Sequence, residues 1–206
     1  MIPVEIAISF FGAAIILALA PGPDNIFVLT QSAVTGKSGG LMVTLGLCTG
    51  LLVHTMAVAL GVAAMVEASP LAFYGLKLAG AGYLLYLAWM ALRASSEDVD
   101  MRNTKSIPLW ALYRRGIIMN VTNAKVSIFF LAFLPQFAEP GRGPMTLQLI
   151  LLGGLFIIAT VLVFGSIALL AGSAGQKVMG SARSHRFMNR IAGVVFLVLA
   201  LSIAVA

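Results

Sequence analysis

Apolar runs of bilayer-spanning length recur along this chain, at roughly 4–30, 41–66, 70–92, 115–138, 145–172 and 188–206, each near the ~20 residues a spanning helix needs. Lipid offers no hydrogen-bond partner to backbone N–H and C=O groups, so segments that cross it as single apolar runs do so as helices. The expected fold is all-α, a polytopic membrane protein with six transmembrane helices. Composition agrees: 60% of the 206 residues are hydrophobic and 10% are charged, against about 25% charged in a soluble domain. Mean hydropathy is +1.03. Little is left over for a soluble unit, and residues 1–206 read as a single transmembrane domain. The first run has no basic leader, since Glu5 is the only charge before Asp24. Further runs come after it. It is expected to be a first transmembrane helix rather than a cleaved signal, although Ala18-Leu19-Ala20 resembles a cleavage site.

The charges between the runs are ordered. Lys37 lies in the first loop. Arg93, Arg102, Lys105, Arg114 and Arg115 lie in or beside the third, and Lys177, Arg183, Arg186 and Arg190 in or beside the fifth. The second loop has no Lys or Arg, and the fourth has only Arg142. Basic loops stay in the cytoplasm, so odd loops are expected inside and both termini outside. A soluble bundle of buried helices has no reason to alternate in this way. The net charge of +6 is spread between apolar runs rather than along one basic face, which argues against nucleic acid as a partner. His185 among Arg183, Arg186 and Arg190 reads as an anchoring cluster able to touch anionic membrane lipid. The single cysteine, Cys48, excludes an internal disulfide framework.

Inside this apolar chain the run Ala20-Pro21-Gly22-Pro23-Asp24-Asn25 is out of place. Pro21 and Pro23 remove two backbone donors and clash with the preceding turn, and Gly22 lets the chain bend between them. A discontinuous helix is the functional reading. Its freed amides and the dipole end of the segment restarting near Asp24 would meet a polar ligand. A simple kink, or Asp24 capping the next segment near the cytoplasmic end, is the plainer alternative. An ionisable residue at membrane depth is a functional candidate by default.

A second polar interruption comes at Asn120-Val121-Thr122-Asn123-Ala124-Lys125. Divided near residue 104, the chain has three spans per half, approximately 1–104 and 105–206, and each half's first span carries the interruption. Two halves with an odd number of spans insert with opposite orientations, which fits an inverted 3+3 repeat. Lys125 is too far from a helix end to snorkel easily, and a bare ammonium there seeks a carboxylate. Asp24 and Lys125 are therefore expected to approach each other across a central cavity lined by Asn25, Asn120 and Asn123, with Asn120 and Asn123 on one helical face. Lys77, nearer the outer end of the third span, is explained by snorkelling or by a share in the site. Gly46 and Gly50 form a GxxxG match that allows close helix approach, within the chain or between copies, and Gly80 reads as a packing glycine. His54 is read as hydrogen-bonded within the bundle, with proton transfer as its functional alternative. Cys48 and His54 point to different faces, a poor metal pair. No HExxH or Walker sequence occurs, so neither an enzyme, a resident metal nor a cofactor is expected.

These residues together resemble the LysE/RhtB family of bacterial amino-acid exporters, over essentially the whole chain. The agreeing pieces are Pro21-Gly22-Pro23-Asp24, Gly46 with Gly50, Lys77, Gly80 and Tyr83-Leu84. To these are added Gly116 with Asn120, Asn123 and Lys125, then Phe129-Phe130 and Leu134-Pro135-Gln136-Phe137. Two departures stand out. The family usually has Asn-Pro-Lys where this chain has Asn123-Ala124-Lys125, and often a glycine at Ala88. The missing proline predicts a straighter fourth helix. The resemblance implies a secondary exporter of amino acids or their derivatives in the bacterial inner membrane, driven by the proton gradient and often a homodimer. Under it, Lys125 and the broken-helix amides suit a substrate carboxylate. Asp24 suits the ammonium and is a candidate for the coupling proton. The rival readings are a transporter of another small solute or a metal cation, and a non-transporting membrane scaffold.

Overall fold

A computed structural model describes residues 2–93, 107–170 and 182–205, and every regular element among them is helical. The helices are α1 (Val4–Leu19), α2 (Pro23–Thr35), α3 (Lys37–Ala68), α4 (Pro70–Arg93), α5 (Leu109–Thr122), α6 (Ala124–Phe133), α7 (Met145–Leu170) and α8 (Ala182–Val205). Two short 3-10 turns, Leu134–Phe137 and Pro140–Arg142, lie between α6 and α7.

Among the described residues, α3, α4 and α7 are long and apolar enough to cross a membrane alone. Two bent pairs bring the count to five if each pair is one span: α1 with α2, bent by 63°, and α5 with α6 and its 3-10 extension, bent by 55°. α8 occupies the place of the sixth expected span.

Several expected boundaries move. The first loop shrinks to Gly36, which has φ 81°, a left-handed conformation that glycine adopts freely. Gly39 and Gly40, expected in that loop, are already in α3. The turn from α3 to α4 is Ser69 alone. Its hydroxyl accepts from the Ala72 amide at 3.2 Å, and Pro70 stands at the helix start, where its missing N–H costs nothing. The fifth loop, expected to run through Arg186, gives way to helix at Ala182. Arg102, Lys105 and Lys177, and the Arg183 and His185 side chains of the anchoring cluster, lie outside the described residues.

Hydroxyls inside these apolar helices are absorbed locally. Thr30, Ser32, Thr44, Thr55, Thr160 and Ser166 each donate to the carbonyl four residues earlier, so none needs water at depth. α3 is the central helix, in contact with α2, α4, α5, α6 and α7, while α8 lies along α4 and α1 along α7. The large side chains of the interior include Phe10, Phe129, Phe130 and Phe133. Outward-facing Leu52, Leu60, Leu78 and Leu162 are each more than half exposed. That surface would be costly in water and is normal against acyl chains.

Glycines set the closest helix approaches. A Cβ on Gly46 would strike the carbonyl oxygen of Tyr113 and come within 3.0 Å of Gly116 Cα. Reciprocally, a Cβ on Gly116 would lie 2.6 Å from the Val43 carbonyl. α3 and α5 thus meet backbone to backbone. Gly50 faces Asn120, and Gly80 brings α4 onto the Ala132 carbonyl of α6 at 2.6 Å from where a Cβ would sit. Gly46 and Gly50 make these contacts within the chain.

Candidate functional site at the two helix breaks

The two helix breaks meet. One pocket is lined by Gly22, Pro23, Asp24 and Asn25 from the first break and by Asn120, Asn123, Lys125 and Val126 from the second. Leu17 and Ala18 of α1, Leu51 of α3 and Phe156, Thr160 and Phe164 of α7 complete it. Every polar residue expected around Asp24 and Lys125 is in this lining. Lys77 is not. It lies early in α4, with its ammonium 5.5 Å from the Phe73 ring centre.

The first break is built as its sequence suggests. α1 ends at Leu19, Gly22 is extended, and Pro23 opens α2. Proline at the first helical position lacks the amide that would have no partner there. Asn25 turns back across the break and donates from Nδ2 to the Ala18 carbonyl at 2.7 Å, satisfying an acceptor that the end of α1 leaves open. Asp24 stands in the first turn of α2, where the helix dipole favours a negative charge.

The second break contradicts two expectations. Asn120 and Asn123 do not share one helical face, because α5 stops at Thr122 and α6 starts at Ala124. Nor is this span straightened by the missing proline, since the bend is 55°. The cause is Asn123. Its Oδ1 accepts from the Lys125 amide at 3.1 Å, making it the N-cap of α6. Its backbone carbonyl receives the Ser127 amide at 3.0 Å and the Ser127 hydroxyl at 3.1 Å. An Asn side chain here closes a new helix without help from proline.

The same Asn123 reaches Asp24, donating from Nδ2 to Oδ2 at 3.2 Å. Both ends of its amide are thereby committed. The other carboxylate oxygen of Asp24 is buried without a hydrogen-bond partner, as is Oδ1 of Asn120. Asp24 is 7% exposed and Asn120 2%, so these two acceptors are withdrawn from solvent and unpaired, an arrangement that is costly unless something occupies the pocket. Lys125 Nζ lies 3.7 Å from where a Cβ on Gly22 would be, so it packs on the first break. Asp24 and Lys125 share the pocket but form no ion pair within 4.0 Å. The pocket is narrow, with a volume of about 40 Å³, enough for a few water molecules.

His54 Nε2 lies 3.1 Å from the Asn120 carbonyl, and its ring is 5.8 Å from that of Phe130. It is hydrogen-bonded within the bundle, as expected, behind the site. The α7 wall is the part that sequence reading misses. Phe156, Thr160 and Phe164 recur every fourth residue and so share one helix stripe. That spacing was the available signal, hidden by an otherwise uniform apolar run.

The sequence of this chain matches the family "LysE type translocator" over residues 15–206. The chain belongs to that family. Among its relatives, a homoserine/homoserine lactone efflux protein of Salmonella typhimurium is 31% identical over 192 residues, covering 93% of this chain and 92% of that protein. A leucine efflux protein of Salmonella choleraesuis is 31% identical over 132 residues, 64% of this chain and 62% of the relative. An uncharacterized membrane protein of Pseudomonas aeruginosa is 35% identical over 140 residues, 62% of this chain and 61% of that protein. No solved structure matches. The translocator is thus a multi-pass membrane protein.

Proposed function

We propose that this translocator is a secondary exporter of amino acids or their derivatives, which holds the substrate zwitterion between Asp24 and Lys125 and couples its exit to protons. The observation that carries the reading is the unpaired Asp24 Oδ1 in a pocket that Lys125 also lines without an ion pair between them. An α-amino acid supplies both missing partners at once. Its ammonium satisfies the Asp24 and Asn120 oxygens, and its carboxylate meets Lys125 and the amides at the start of α2. The names of the efflux relatives support this substrate class and leave the particular amino acid open.

The narrow pocket must widen to admit a substrate. The two breaks are the natural hinges, since each ends one helix and starts another with few shared backbone hydrogen bonds. Proton coupling arises if Asp24 carries either a proton or the substrate ammonium, because the two then compete for one carboxylate. We place the protein in the bacterial inner membrane with both termini outside, as the loop charges imply, and read its halves as an inverted pair, each opening on a bent span.

The test is an efflux panel. Cells loaded with dipeptides are assayed for the free amino acids that leave faster when the translocator is present, with the proton gradient intact and collapsed. The expected result is accelerated exit of a small set of amino acids that stops when the gradient is removed. Full gradient dependence in an Asp24→Asn protein would sink the proton role, and accelerated exit of no amino acid would sink the reading.

A further inference from the structure

The pocket between the helix breaks has two unlike parts. Its charge belongs to Asp24 and Lys125, and its side-chain amides to Asn25, Asn120 and Asn123. The rest of the lining is apolar but for one hydroxyl. Leu17 of α1, Leu51 of α3, Val126 of α6 and Phe156 and Phe164 of α7 stand there, and most of what the pocket exposes is carbon.

The one hydroxyl, on Thr160, does little to make that wall polar. Its hydrogen goes to the Phe156 carbonyl of its own helix at 2.9 Å, which leaves it no donor for a ligand. His54 stays out of the lining, with Nε2 on the Asn120 carbonyl at 3.1 Å. Asn25 Nδ2 holds the Ala18 carbonyl at 2.7 Å, and Asn123 is engaged at both ends of its amide. A group lying on the wall therefore meets no charge and no free side-chain donor.

The wall is also held from behind. Phe156 rests on Phe129 and Phe130, with ring centres 5.6 Å and 5.0 Å away, and Leu51 is 1% exposed. Phe156, Thr160 and Phe164 share one stripe of α7. A shift of α7 that widens the pocket carries this stripe as a unit, so the face presented stays apolar.

We infer that this wall, formed by the α7 stripe with Leu17 and Leu51, selects a substrate whose side chain is neutral and apolar. The inference rests on the reading above, in which the two charged ends of the zwitterion take Asp24 and Lys125 and leave only the side chain to be chosen. A lysine or glutamate side chain would bring a third charge to a site whose two charges are already in use. An amide side chain would exchange water for carbon and leave its own donors unpaired. An aliphatic side chain loses nothing on leaving water and gains packing contacts.

The experiment compares side chains of one shape. Leucine and asparagine share a branched outline and differ in polarity, as do valine and threonine. The purified full chain is reconstituted in liposomes loaded with these four, phenylalanine, lysine and glutamate at equal concentrations, and exit of each is followed under an imposed proton gradient. Leucine should leave faster than asparagine, and valine faster than threonine, by about tenfold or more, with lysine and glutamate no faster than from protein-free liposomes. Leu51→Asn should lower the leucine-to-asparagine ratio about fivefold or more, and Phe164→Ala should raise the phenylalanine-to-leucine ratio by a similar factor. Ratios within one preparation do not depend on how much protein inserts. Asparagine leaving as fast as leucine, or lysine leaving at all faster than from protein-free liposomes, would overturn the inference and leave the exporter reading standing. Exit of no amino acid would overturn the exporter reading, and the inference with it. Both variants transporting with the parent's ratios would place the side chain elsewhere and overturn the wall's part. Should a variant fail to insert, the parent's own ratios still decide.

Discussion

Asn123 donates to Asp24 at 3.2 Å from one end of its amide and caps α6 at 3.1 Å with the other. A single side chain thus fixes the carboxylate in the pocket and the start of the helix that presents Lys125.

The two roles separate by substitution. Asn123→Ala should cost about 1 kcal/mol through the lost cap and lower efflux about tenfold or more through the lost charge-assisted bond. Asn123→Asp keeps an acceptor for the Lys125 amide but sets a second carboxylate against Asp24. It should melt near the parent temperature and still transport poorly. Thermal melts and efflux rates of the two variants check this; equal efflux by Asn123→Ala and the parent would deny Asn123 a part in the site.

Asp24 and Lys125 share a pocket without touching as an ion pair. Asp24→Asn and Lys125→Gln are therefore each expected to reduce efflux about tenfold or more, and the double variant should be no better than the worse single. A direct pair would behave otherwise, since removing both partners relieves the stranded charge. Recovery of efflux or expression in the double variant would show that the two groups meet in the working cycle.

Gly50 packs on Asn120, with a Cβ placed 2.6 Å from Asn120 Oδ1 and 2.7 Å from its Cβ. Gly50→Ala should cost about 1–3 kcal/mol by overpacking and displace Asn120 from the pocket, lowering efflux as well as stability. Gly61→Ala, on the same helix with nothing within 4 Å of the added methyl, is the matched control and should be neutral or slightly stabilising through better helix propensity. Melting temperatures of the pair decide it.

A methyl on Gly153 of α7 would run into the Thr55 side chain of α3, whose Cβ would be 2.9 Å away. Gly153→Ala should destabilise by about 1–3 kcal/mol, and Thr55→Ala should recover part of that loss because it removes the two outermost colliding atoms. The coupling in a double-mutant cycle is the measurement, and additive effects would mean that α3 and α7 are not held this closely.

Much of this architecture is legible in the residues. Uniform apolar runs leave helices as the way across lipid, and Pro21-Gly22-Pro23 announces the first break because two missing amides cannot be repaired in place. Asp24 and Lys125 are conspicuous for the opposite reason, being charges where charge is expensive. The second break is not readable in this way. Thr122-Asn123-Ala124 contains no proline or glycine, and an asparagine becomes an N-cap only when the tertiary fold brings the chain around it. The α7 wall is equally silent, since only the packed bundle brings it to the breaks from far along the sequence. Loop edges move because polar and glycine residues at helix ends, such as Gly39, Gly40 and Arg186, extend helices as readily as they end them.

The glycine contact between α3 and α5 has a mechanical meaning. With Gly46 and Gly116 touching backbone to backbone, the stretch before Asn123 has no slack in which to slide, and α3 carries it as a fixed frame. Widening of the pocket between the helix breaks is then expected to come from a swing of α6 relative to that frame. The pivot would be the residue that grips Asp24, so whatever enters the pocket pulls on the hinge itself.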